Sequence, residues 1–442
     1  MPLQLKILIL GAGGRAHTFC WKIRQSKLCA QLFIAPGNAG TAEYGENIDI
    51  SVTDFDAIKK ICTDKHIDLV VVGPEEPLVK GIYDYFKSDR QLQHIMITGP
   101  SVAGAQLEGS KAFAKAFMLR HQVPTAEYRE FGVASYDEGV EFISRHALPI
   151  VLKADGLAGG KGVVICQNHQ EALAEFELMI QQSKFGEAGH KVVVEQFLDG
   201  IELSVFVLTD GKDYLLLPEA KDYKKIGEGD KGPNTGGMGA VSPVPFAKGD
   251  FMQKVIDRVI EPTIKGLRDE KIDYRGFLFF GLIKVQEEPY VIEYNCRMGD
   301  PETEVVLLRM KSDLVPLLIA SDQQKLKGLT IEIDPLCAAT IVAVSKGYPM
   351  AYKNGHPVDF AYLRQAGASK PLDISGGTVV FHAGTIQKEG AVLTNGGRVL
   401  AVSSLARSLP EALSRSLQIL DQIHFEGMTF RKDIGYEFME PL

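Results

Sequence analysis

The sequence lacks the features that mark extracellular, membrane-embedded and nucleic-acid-binding proteins. It has six cysteines, and no two of them form a Cys-x-x-Cys pair. Because closely spaced cysteines build most disulfide frameworks and zinc sites, this spacing predicts a reducing compartment and no zinc. The formal net charge is −8 at pH 7, so the chain has no electrostatic reason to bind nucleic acid or an anionic membrane. Any phosphate site must therefore be local.

Long hydrophobic runs are also missing. No apolar run approaches the ~20 residues of a membrane-spanning helix. The short apolar run at residues 5–10 is followed by glycines rather than by a signal-peptide cleavage site. We therefore expect a cytoplasmic protein. Its 442 residues exceed what one hydrophobic core usually serves, which predicts about two to four domains.

The N-terminal stretch has the pattern of a doubly wound parallel sheet. A buried-strand run at residues 6–10 leads through a glycine turn into a helical stretch at 18–26. The free amides at a helix N-terminus bind phosphate well. The second strand, 31–35, ends in Pro-Gly-Asn rather than in the acidic residue that would hold the ribose of a dinucleotide, so NAD is not expected. The turn is either a simple tight connection or a site for a smaller phosphate ligand, with Arg15 and Asn38 as candidate contacts.

Two later predicted strands are also followed directly by glycine and proline. Residues 67–72 and 95–98 read as buried strands, each followed by a Gly-Pro pair, and a helical pattern at 55–65 precedes them. This alternation indicates parallel βαβ units, which bind ligands where the carboxyl ends of the strands meet. We expect this first domain to end near residue 104.

A second glycine-rich loop lies between two strands. Residues 149–154 and 162–166 read as strands, and the loop between them ends at Lys161. Because a Walker A loop runs into a helix instead, this loop is interpreted as a hairpin tip, either purely structural or folded over a triphosphate. Lys153 favours a loop folded over a triphosphate. The apolar residues around it predict that it is buried in a strand, and a buried charge without a partner is costly. Lys111, at the start of a helix, could by itself be an ordinary solvated lysine.

The densest group of polar residues lies at 289–304. Side chains alternate between faces along its predicted strand, so Glu293, Asn295 and Arg297 should point the same way. A carboxylate and an amide oxygen two residues apart suit a hard cation such as Mg²⁺, and a guanidinium can grip a carboxylate or phosphate at two points. An edge strand with solvated polar residues is the alternative, but apolar runs flank this segment. Cys296 should point to the opposite face, as a buried structural thiol.

Together these motifs resemble the ATP-grasp enzymes and, among them, the phosphoribosylamine–glycine ligase family, also called the glycinamide ribonucleotide synthetases. The general ATP-grasp resemblance is carried by residues 153–162, 195–202 and 293–295. The more specific marks are Gly-Pro-Glu-Glu-Pro-Leu-Val (73–79), Leu-Glu-Gly-Ser-Lys (107–111), Gly-Pro-Asn-Thr-Gly-Gly-Met-Gly (232–239), Asn-Cys-Arg-Met-Gly-Asp-Pro-Glu (295–302), Phe-His-Ala-Gly-Thr (381–385) and Thr-Asn-Gly-Gly-Arg-Val-Leu (394–400). The resemblance covers essentially the whole chain.

The resemblance implies a multidomain fold of α/β and α+β type. An N-terminal doubly wound parallel βα domain, on the phosphoribosylamine side, would span residues 1–104. A central ATP-grasp domain would span 105–127 and 195–329, and its mobile lid 128–194. A C-terminal mixed β/α domain, 330–442, would be mainly structural and help to wall the site.

The implied activity is ATP-dependent ligation of glycine to 5-phosphoribosylamine through glycyl phosphate. Its products would be glycinamide ribonucleotide, ADP and phosphate, in de novo purine biosynthesis. ATP would be the co-substrate, and Mg²⁺ or Mn²⁺ the metal. These small molecules are the only expected partners, with no nucleic acid and no membrane, and the expected state is a monomer.

The resemblance also implies residue roles. The metal ligands would be Glu293 and Asn295. The residues expected at ATP are Lys111, Lys153, Gly159, Gly160, Lys161, Gly162, Glu195, Phe197, Leu198 and Glu202. Those expected at the other substrates are Gly13, Gly14, Arg15, Asn38, Glu75, Lys224, Gly239, Arg297, Asp300 and Glu302. The catalytic residues would be Lys153, Asp222 and Arg297, the last gripping glycine or the acyl phosphate.

Three departures from the family pattern stand out. Ala16 stands where Glu is usual, residues 221–225 read Lys-Asp-Tyr-Lys-Lys instead of Gln-Asp-His-Lys-Arg, and Gly159 replaces a common Ala. They bear on phosphoribosylamine contacts and leave the nucleotide and metal residues in place. Two alternatives stay open at this point: another ATP-grasp ligase or carboxylase, and a catalytically silent nucleotide-binding protein. Bicarbonate-dependent turnover would indicate the first, and ATP binding without ADP release the second.

Overall fold

The computed structural model describes residues 4–157, 162–182, 191–360, 373–374 and 377–439. Within these ranges, every helix is too short or too polar to span a bilayer.

The strands and helices follow one another along the whole chain. In order, the strands are β1 (Leu5–Gly11), β2 (Cys29–Pro36), β3 (Glu46–Asn47), β4 (Leu69–Val72), β5 (Met96–Pro100), β6 (Tyr128–Gly132), β7 (Ile150–Ala154), β8 (Val163–Cys166), β9 (Lys191–Gln196), β10 (Ile201–Thr209), β11 (Tyr214–Leu216), β12 (Lys221–Asp222), β13 (Lys225–Gly227), β14 (Lys231–Asn234), β15 (Gly239–Ser242), β16 (Tyr274–Val285), β17 (Glu288–Asn295), β18 (Cys337–Ser345), β19 (Asp373–Ile374), β20 (Thr378–His382), β21 (Thr385–Lys388), β22 (Ala391–Thr394), β23 (Arg398–Ala406) and β24 (Met428–Thr429). The α-helices are α1 (Gly14–Ile23), α2 (Phe55–Lys65), α3 (Glu75–Val79), α4 (Ile82–Ser88), α5 (Val102–Gly109), α6 (Lys111–Arg120), α7 (Tyr136–Arg145), α8 (His169–Ile180), α9 (Gly249–Val255), α10 (Glu261–Asp269), α11 (Glu302–Arg309), α12 (Leu314–Asp322) and α13 (Leu409–Leu420).

The N-terminal sheet is doubly wound and parallel, as predicted. Its strands lie in the order β3-β2-β1-β4-β5, and each neighbouring pair is parallel. Helix α1 begins at Gly14 and ends at Ile23, whereas the pattern predicted residues 18–26. The difference arises because the glycine turn itself forms the first helical residue, and glycine carries no helical signal in the sequence.

The N-terminal sheet continues into an antiparallel part. β16 pairs with β5 through Tyr274↔Pro100 and Arg275↔Gly99, and then with β10 and β17. The close approach at this junction requires Gly276, because a Cβ there would come within 2.8 Å of Gly99 N. β10, β16 and β17 therefore share one sheet with the N-terminal strands, which fixes the carboxyl end of β17 relative to those of β1 and β4.

A separate four-stranded sheet lies in the order β6-β9-β7-β8, with α7 and α8 packed on it. Its own apolar core includes Phe131, Ile143 and Phe176. β7 pairs with β8 antiparallel, so the predicted hairpin is confirmed. The expected triphosphate residues Gly159, Gly160 and Lys161 lie outside the described residues.

The C-terminal sheet has the order β12-β15-β18-β23-β20-β19, and β24 pairs with β18. It includes β12 and β15, although the last residue of β15, Ser242, precedes the first residue of β18, Cys337, by 95 residues in the sequence. The loop that carries the predicted residues Asp222 and Lys224 is thus anchored to the C-terminal part of the chain.

Candidate active site

The candidate site lies where three turns meet: those that follow β1, β4 and β17. The Arg15 N–H donates to Asp300 Oδ2 at 3.2 Å, and Arg15 Nη1 donates to the Met298 carbonyl at 2.6 Å. Arg297 Nε donates to Glu75 Oε2 at 3.2 Å. Two pairs of the predicted substrate residues, Arg15 with Asp300 and Arg297 with Glu75, are therefore in direct contact, although each pair is separated by more than two hundred residues in the sequence.

The Arg297 guanidinium lies between two carboxylates. Its Nη2 donates to Glu108 Oε1 at 2.6 Å, opposite the bond to Glu75. Burial acts to lower the pKa of Arg297, but Glu108 and Glu75 outweigh it and raise the pKa above its ordinary value. Burial would raise the pKa of Glu75, yet Arg297 and Arg15 lower it to about 2. Arg297 and Glu75 are thus both charged, and the guanidinium is held in one orientation.

Glu108, at the end of α5, is a site residue that sequence reasoning missed. It is 4% exposed, and it accepts hydrogen bonds from Cys296 N at 2.8 Å and from Cys296 Sγ at 3.1 Å. Burial raises the pKa of the Cys296 thiol, and Glu108 adds to that, which supports its predicted role as a structural thiol. Glu108 lies in the Leu-Glu-Gly-Ser-Lys motif beside the predicted Lys111, and this motif is the signal that could have found it.

Asp300 joins the N-terminal turn to the C-terminal sheet. Its Oδ1 lies 3.0 Å from Arg398 Nη2, while its Oδ2 accepts the Arg15 N–H. Burial would raise the pKa of Asp300, but Arg398 and then Arg15 hold it below its usual value. A Cβ at Gly13 would come within 3.1 Å of Asp300 Oδ2, so this turn suits a glycine. Arg398 was not among the predicted residues, because its domain was expected only to wall the site.

A cluster of charged groups surrounds Lys224. Lys224 Nζ donates to Glu202 Oε2 at 2.9 Å, and Ser204 Oγ donates to Glu302 Oε1 at 3.1 Å. Burial, and next the Asp222 carboxylate, raise the pKa of Glu302 to about 7. Burial is also the main reason why the pKa of Asp222 is raised. A buried carboxyl beside a second one can take up and release a proton near neutral pH.

Glu293 and Asn295 keep the alternation that the sequence predicted. β17 pairs with β16 through Gly281↔Glu293 and Phe279↔Asn295, so the two side chains share a face of the sheet. The strand ends at Asn295, and alternation therefore does not set the direction of Arg297. The contacts with Glu75 and Glu108 set it instead.

The chemistry of Glu293 and Asn295 fits a hard cation. Burial would raise the pKa of Glu293, but Lys224, Lys111 and Lys153 lower it, so the carboxylate is ionised. Within the described residues, no three His, Cys, Asp or Glu side chains are grouped as a metal site. Magnesium does not need such a cage, because it is bound through one or two carboxylates together with the phosphates of a substrate.

The residues predicted to bind ATP are grouped around Glu195. Its Oε2 lies 2.9 Å from Lys153 Nζ and 3.2 Å from Lys115 Nζ. Lys153 is buried in β7, as predicted, and it also donates to the Ile292 carbonyl at 3.0 Å. Glu195 Oε1 is buried and has no hydrogen-bond partner among the described residues, which leaves an acceptor for a ligand. These side chains and Lys111 line one cavity.

Lys115, in α6, is a second residue that sequence reasoning missed. It is 2% exposed, and it donates to Thr125 Oγ1 at 2.7 Å. Burial lowers the pKa of Lys115 to about 8, with Glu195 opposing the shift and Lys153 adding to it. Its position one helical turn after Lys111 was the signal that could have found it.

Several predicted residues lie at the periphery of these clusters. Asn38 Nδ2 donates to the carbonyls of Ala12 and His382 at 2.8 and 2.9 Å, so its amide links the glycine turn to β20. Gly239, the first residue of β15, packs on β18, and a Cβ there would come within 2.6 Å of Thr340 O. The remaining predicted residues are at strand ends or turns: Phe197 and Leu198 follow β9, Gly162 precedes β8, and Gly14 begins α1.

Comparisons with known proteins agree over the whole chain. Models of phosphoribosylglycinamide synthetase match it in three parts, the N domain at residues 5–108, the ATP-grasp (A) domain at 109–303 and the C domain at 338–437. The phosphoribosylamine–glycine ligase of Escherichia coli strain K12 is 44% identical over 440 residues, which cover 99% of each chain. The chain belongs to the phosphoribosylamine–glycine ligase family. It is therefore a ligase of purine biosynthesis that catalyses the step forming glycinamide ribonucleotide.

Two further members of the ligase family support the same assignment, and a more distant structure shares the fold. The enzyme of Haemophilus influenzae is 43% identical over 439 residues, again 99% of each chain. The crystal structure of the Thermotoga maritima phosphoribosylamine–glycine ligase has a TM-score of 0.83 and 32% identity, covering 97% of this chain and 100% of that one. The biotin carboxylase domain of a Hydrogenobacter thermophilus 2-oxoglutarate carboxylase has a TM-score of 0.73 at 16% identity, covering 97% of this chain and 92% of that one, which shows a shared fold alone.

Proposed function

We propose that this ligase activates glycine as glycyl phosphate and then transfers the glycyl group to phosphoribosylamine. Arg297 binds the glycine carboxylate or the acyl phosphate. The observation that carries the proposal is the Arg297 guanidinium bound between Glu75 and Glu108, next to both the glycine turn and the end of β17. A fixed guanidinium stabilises negative charge that develops on a carboxylate or acyl phosphate.

ATP binds on the side of Lys111, Lys153, Glu195 and Glu202. The free Glu195 Oε1 suits the amino group of the adenine, and Glu202 suits the ribose hydroxyls. Lys153 and Lys111 neutralise the phosphates while a glycine carboxylate oxygen attacks the γ-phosphorus. The bond to the bridging oxygen breaks, and ADP leaves with both electrons of that bond.

Glu293 and Asn295 would hold Mg²⁺ or Mn²⁺, which supplies charge neutralisation at the phosphates. The residues of the protein contribute by positioning the substrates and by stabilising the charge that develops during the reaction. A closed site also keeps water from the acyl phosphate.

Phosphoribosylamine binds on the side of the turn that follows β1, where Arg15 lies, and Lys224 is a second cation, whose charge acts on Glu302. Its amine attacks the acyl carbon, the bond from that carbon to the phosphate oxygen breaks, and phosphate leaves. The nitrogen must then lose a proton. Glu302, with its pKa raised to about 7 by burial and by Asp222, is the group suited to accept it.

Glycine labelled with heavy oxygen in its carboxylate tests this order of steps. If glycyl phosphate forms, one labelled oxygen must appear in the released phosphate, and ADP, phosphate and glycinamide ribonucleotide must form in equal amounts. Unlabelled phosphate with normal product formation would exclude the acyl phosphate. ADP release that does not depend on phosphoribosylamine would keep the activation step but exclude this amine as the required acceptor.

A further inference from the structure

We propose that residues 431–437, the C-terminal strap, set the position of residues 221–239, the site loop, and that Arg431 and Glu437 are positioning residues for the ligation. The inference rests on the proposed function, because the site loop carries two of the residues assigned above to the reaction. It gives the end of the C-terminal domain a role in catalysis beyond walling the site.

Arg431 connects the strap to the start of the site loop. Its Nη1 donates to the Lys225 carbonyl at 3.1 Å and to Asp230 Oδ1 at 2.7 Å. Its Nε and Nη2 donate to the two carboxylate oxygens of Asp433 at 2.8 and 2.7 Å. Arg431 is 1% exposed. A guanidinium buried to this degree is stable only when its donors are bound, so the loop backbone is tied to a fixed group.

The middle of the strap holds the tip of the β13–β14 hairpin. The Gly229 N–H donates to Asp433 Oδ2 at 2.7 Å, and the Tyr436 hydroxyl donates to Asp230 Oδ2 at 3.0 Å. Asp433 therefore accepts from both the strap and the hairpin, which couples the two segments directly.

Glu437 holds the loop on both sides of Asp222. Its Oε1 lies 2.9 Å from Lys221 Nζ, and its Oε2 accepts the Tyr223 hydroxyl at 2.8 Å. Tyr223 is 1% exposed and Lys221 9% exposed. Because the residues before and after Asp222 share one carboxylate, a displacement of Glu437 moves Asp222 as well.

The hairpin depends on these contacts for its order. Within the described part of the chain, β13 and β14 pair only with each other, and all four residues of β14 are exposed. An isolated two-stranded hairpin is marginally stable in water. Lys224, which directly precedes β13 and contacts Glu202, would lose its fixed position if the strap released the hairpin.

The arrangement predicts an effect on one half of the reaction. Three of the residues proposed to bind ATP, Lys111, Lys153 and Glu195, lie on α6, β7 and β9, outside the site loop. The site loop contacts the fourth, Glu202 of β10, through Lys224. A displacement of about 1 Å at a reacting group costs up to about 10²-fold in rate. Loosening the strap should therefore change the parameters for phosphoribosylamine more than ATP binding, because Lys111, Lys153 and Glu195 keep their positions.

The test compares Arg431→Lys with Arg309→Lys. Lysine keeps the charge at 431 but cannot bind Lys225, Asp230 and Asp433 together. We expect Arg431→Lys to lower kcat/KM for phosphoribosylamine by about 10- to 100-fold, with a much smaller change in the ATP dissociation constant. Amide hydrogen exchange in β13 and β14 should become faster.

Arg309 is the matched control, since it is 6% exposed and donates to the Leu336 carbonyl at 2.9 Å and to Ser242 Oγ at 2.8 Å, outside the hairpin. Arg309→Lys should lower thermal stability without the change in kcat/KM or in hairpin exchange. Glu437→Gln, on a less buried carboxylate, gives a second variant that decides the matter if Arg431→Lys fails to fold.

The outcomes separate the two proposals. If the wild-type enzyme forms no labelled phosphate from labelled glycine, the proposed order of steps fails, whatever the strap does. If the wild type behaves as proposed while Arg431→Lys and Glu437→Gln change only thermal stability, as Arg309→Lys does, the strap is structural and this inference is overturned.

Discussion

Arg398 of β23 forms an ion pair with Asp300, with 3.0 Å between Nη2 and Oδ1. The same guanidinium donates through Nη1 to the carbonyls of Asp300 and Gly236, each at 2.7 Å. Since Asp300 also accepts the Arg15 N–H, one carboxylate connects the N-terminal turn, the end of β17 and the C-terminal sheet. The C-terminal domain thus contributes charge to the site as well as a wall.

Replacing Arg297 by Ala should abolish most turnover while ATP binding survives. The guanidinium is held by Glu75 and Glu108, whereas the residues proposed to bind ATP are grouped around Glu195. Loss of one preorganised group that stabilises developing charge costs about 10²–10³-fold in kcat. Steady-state kinetics and ATP titration measure the two effects separately.

Arg268→Ala, on the exposed face of α10, is the control and should keep normal turnover. Unchanged kcat in the Arg297 variant would remove Arg297 from the mechanism.

Replacing Asn295 by Ala should raise the Mg²⁺ concentration needed for half-maximal activity. Asn295 shares a face of β17 with Glu293, whose carboxylate is ionised, and the pair is the donor set proposed for the metal. Loss of a group that supports a metal typically costs about 10–100-fold in affinity. A Mg²⁺ titration of ADP release, after removal of metal by a chelator, measures the shift.

Asn168→Ala serves as the control, because Asn168 caps α8 and should affect stability alone. An identical Mg²⁺ titration for wild type and the Asn295 variant would rule out the ligand role.

Glu302 should give the ligase an acid limb in its pH profile. Burial and the neighbouring Asp222 raise the pKa of Glu302 to about 7, and Lys224 and Arg297 oppose that shift. Only the ionised carboxylate can accept the amine proton, so kcat/KM for phosphoribosylamine should rise with pH through about 7 and level off above it. Glu302→Gln should remove this limb and lower the plateau by about 10²-fold or more.

Glu219, whose pKa is also raised by burial, lies beside Arg309 rather than in the cluster around Lys224. Glu219→Gln should therefore leave the limb in place. An acid limb that persists in Glu302→Gln would assign it to another group.

Replacing Lys115 should mainly lower the free energy of unfolding, whereas replacing Lys111 should mainly weaken ATP binding. Lys115 is buried against Glu195, whose carboxylate also pairs with Lys153. Lys115→Met therefore removes one of the two lysines that neutralise this buried carboxylate. Breaking a buried ion pair in this way costs about 3–5 kcal/mol of unfolding free energy. Lys111→Met, in a partly exposed position lining the same cavity, should weaken ATP binding with little loss of stability.

Chemical denaturation and ATP titration of both variants check this separation. Equal stability losses in the two variants would contradict the structural role of Lys115.

The sequence by itself determined the elements whose signals are local. The parallel strands β1 and β4, the hairpin of β7 and β8, and helix α2, capped by Asp54 through its bond to the Ala57 N–H at 3.0 Å, follow from periodicity, turn residues and caps. The family motifs also located Glu293, Asn295 and Arg297 on one short segment, because those residues are close in the sequence.

Only the tertiary structure decided which charges meet. Arg297 and Glu75 are 222 residues apart, and Arg297 and Glu108 are 189 residues apart, so no periodicity relates them. Glu108 and Arg398 lie within the family motifs and Lys115 lies one helical turn after Lys111, but the sequence does not show the partner of any of the three. Each looks like an ordinary polar residue of its own helix or strand, and its role comes from the partner that folding places against it. Burial then makes that pairing necessary, since a charge removed from water is stable only beside an opposite charge or a hydrogen-bond partner.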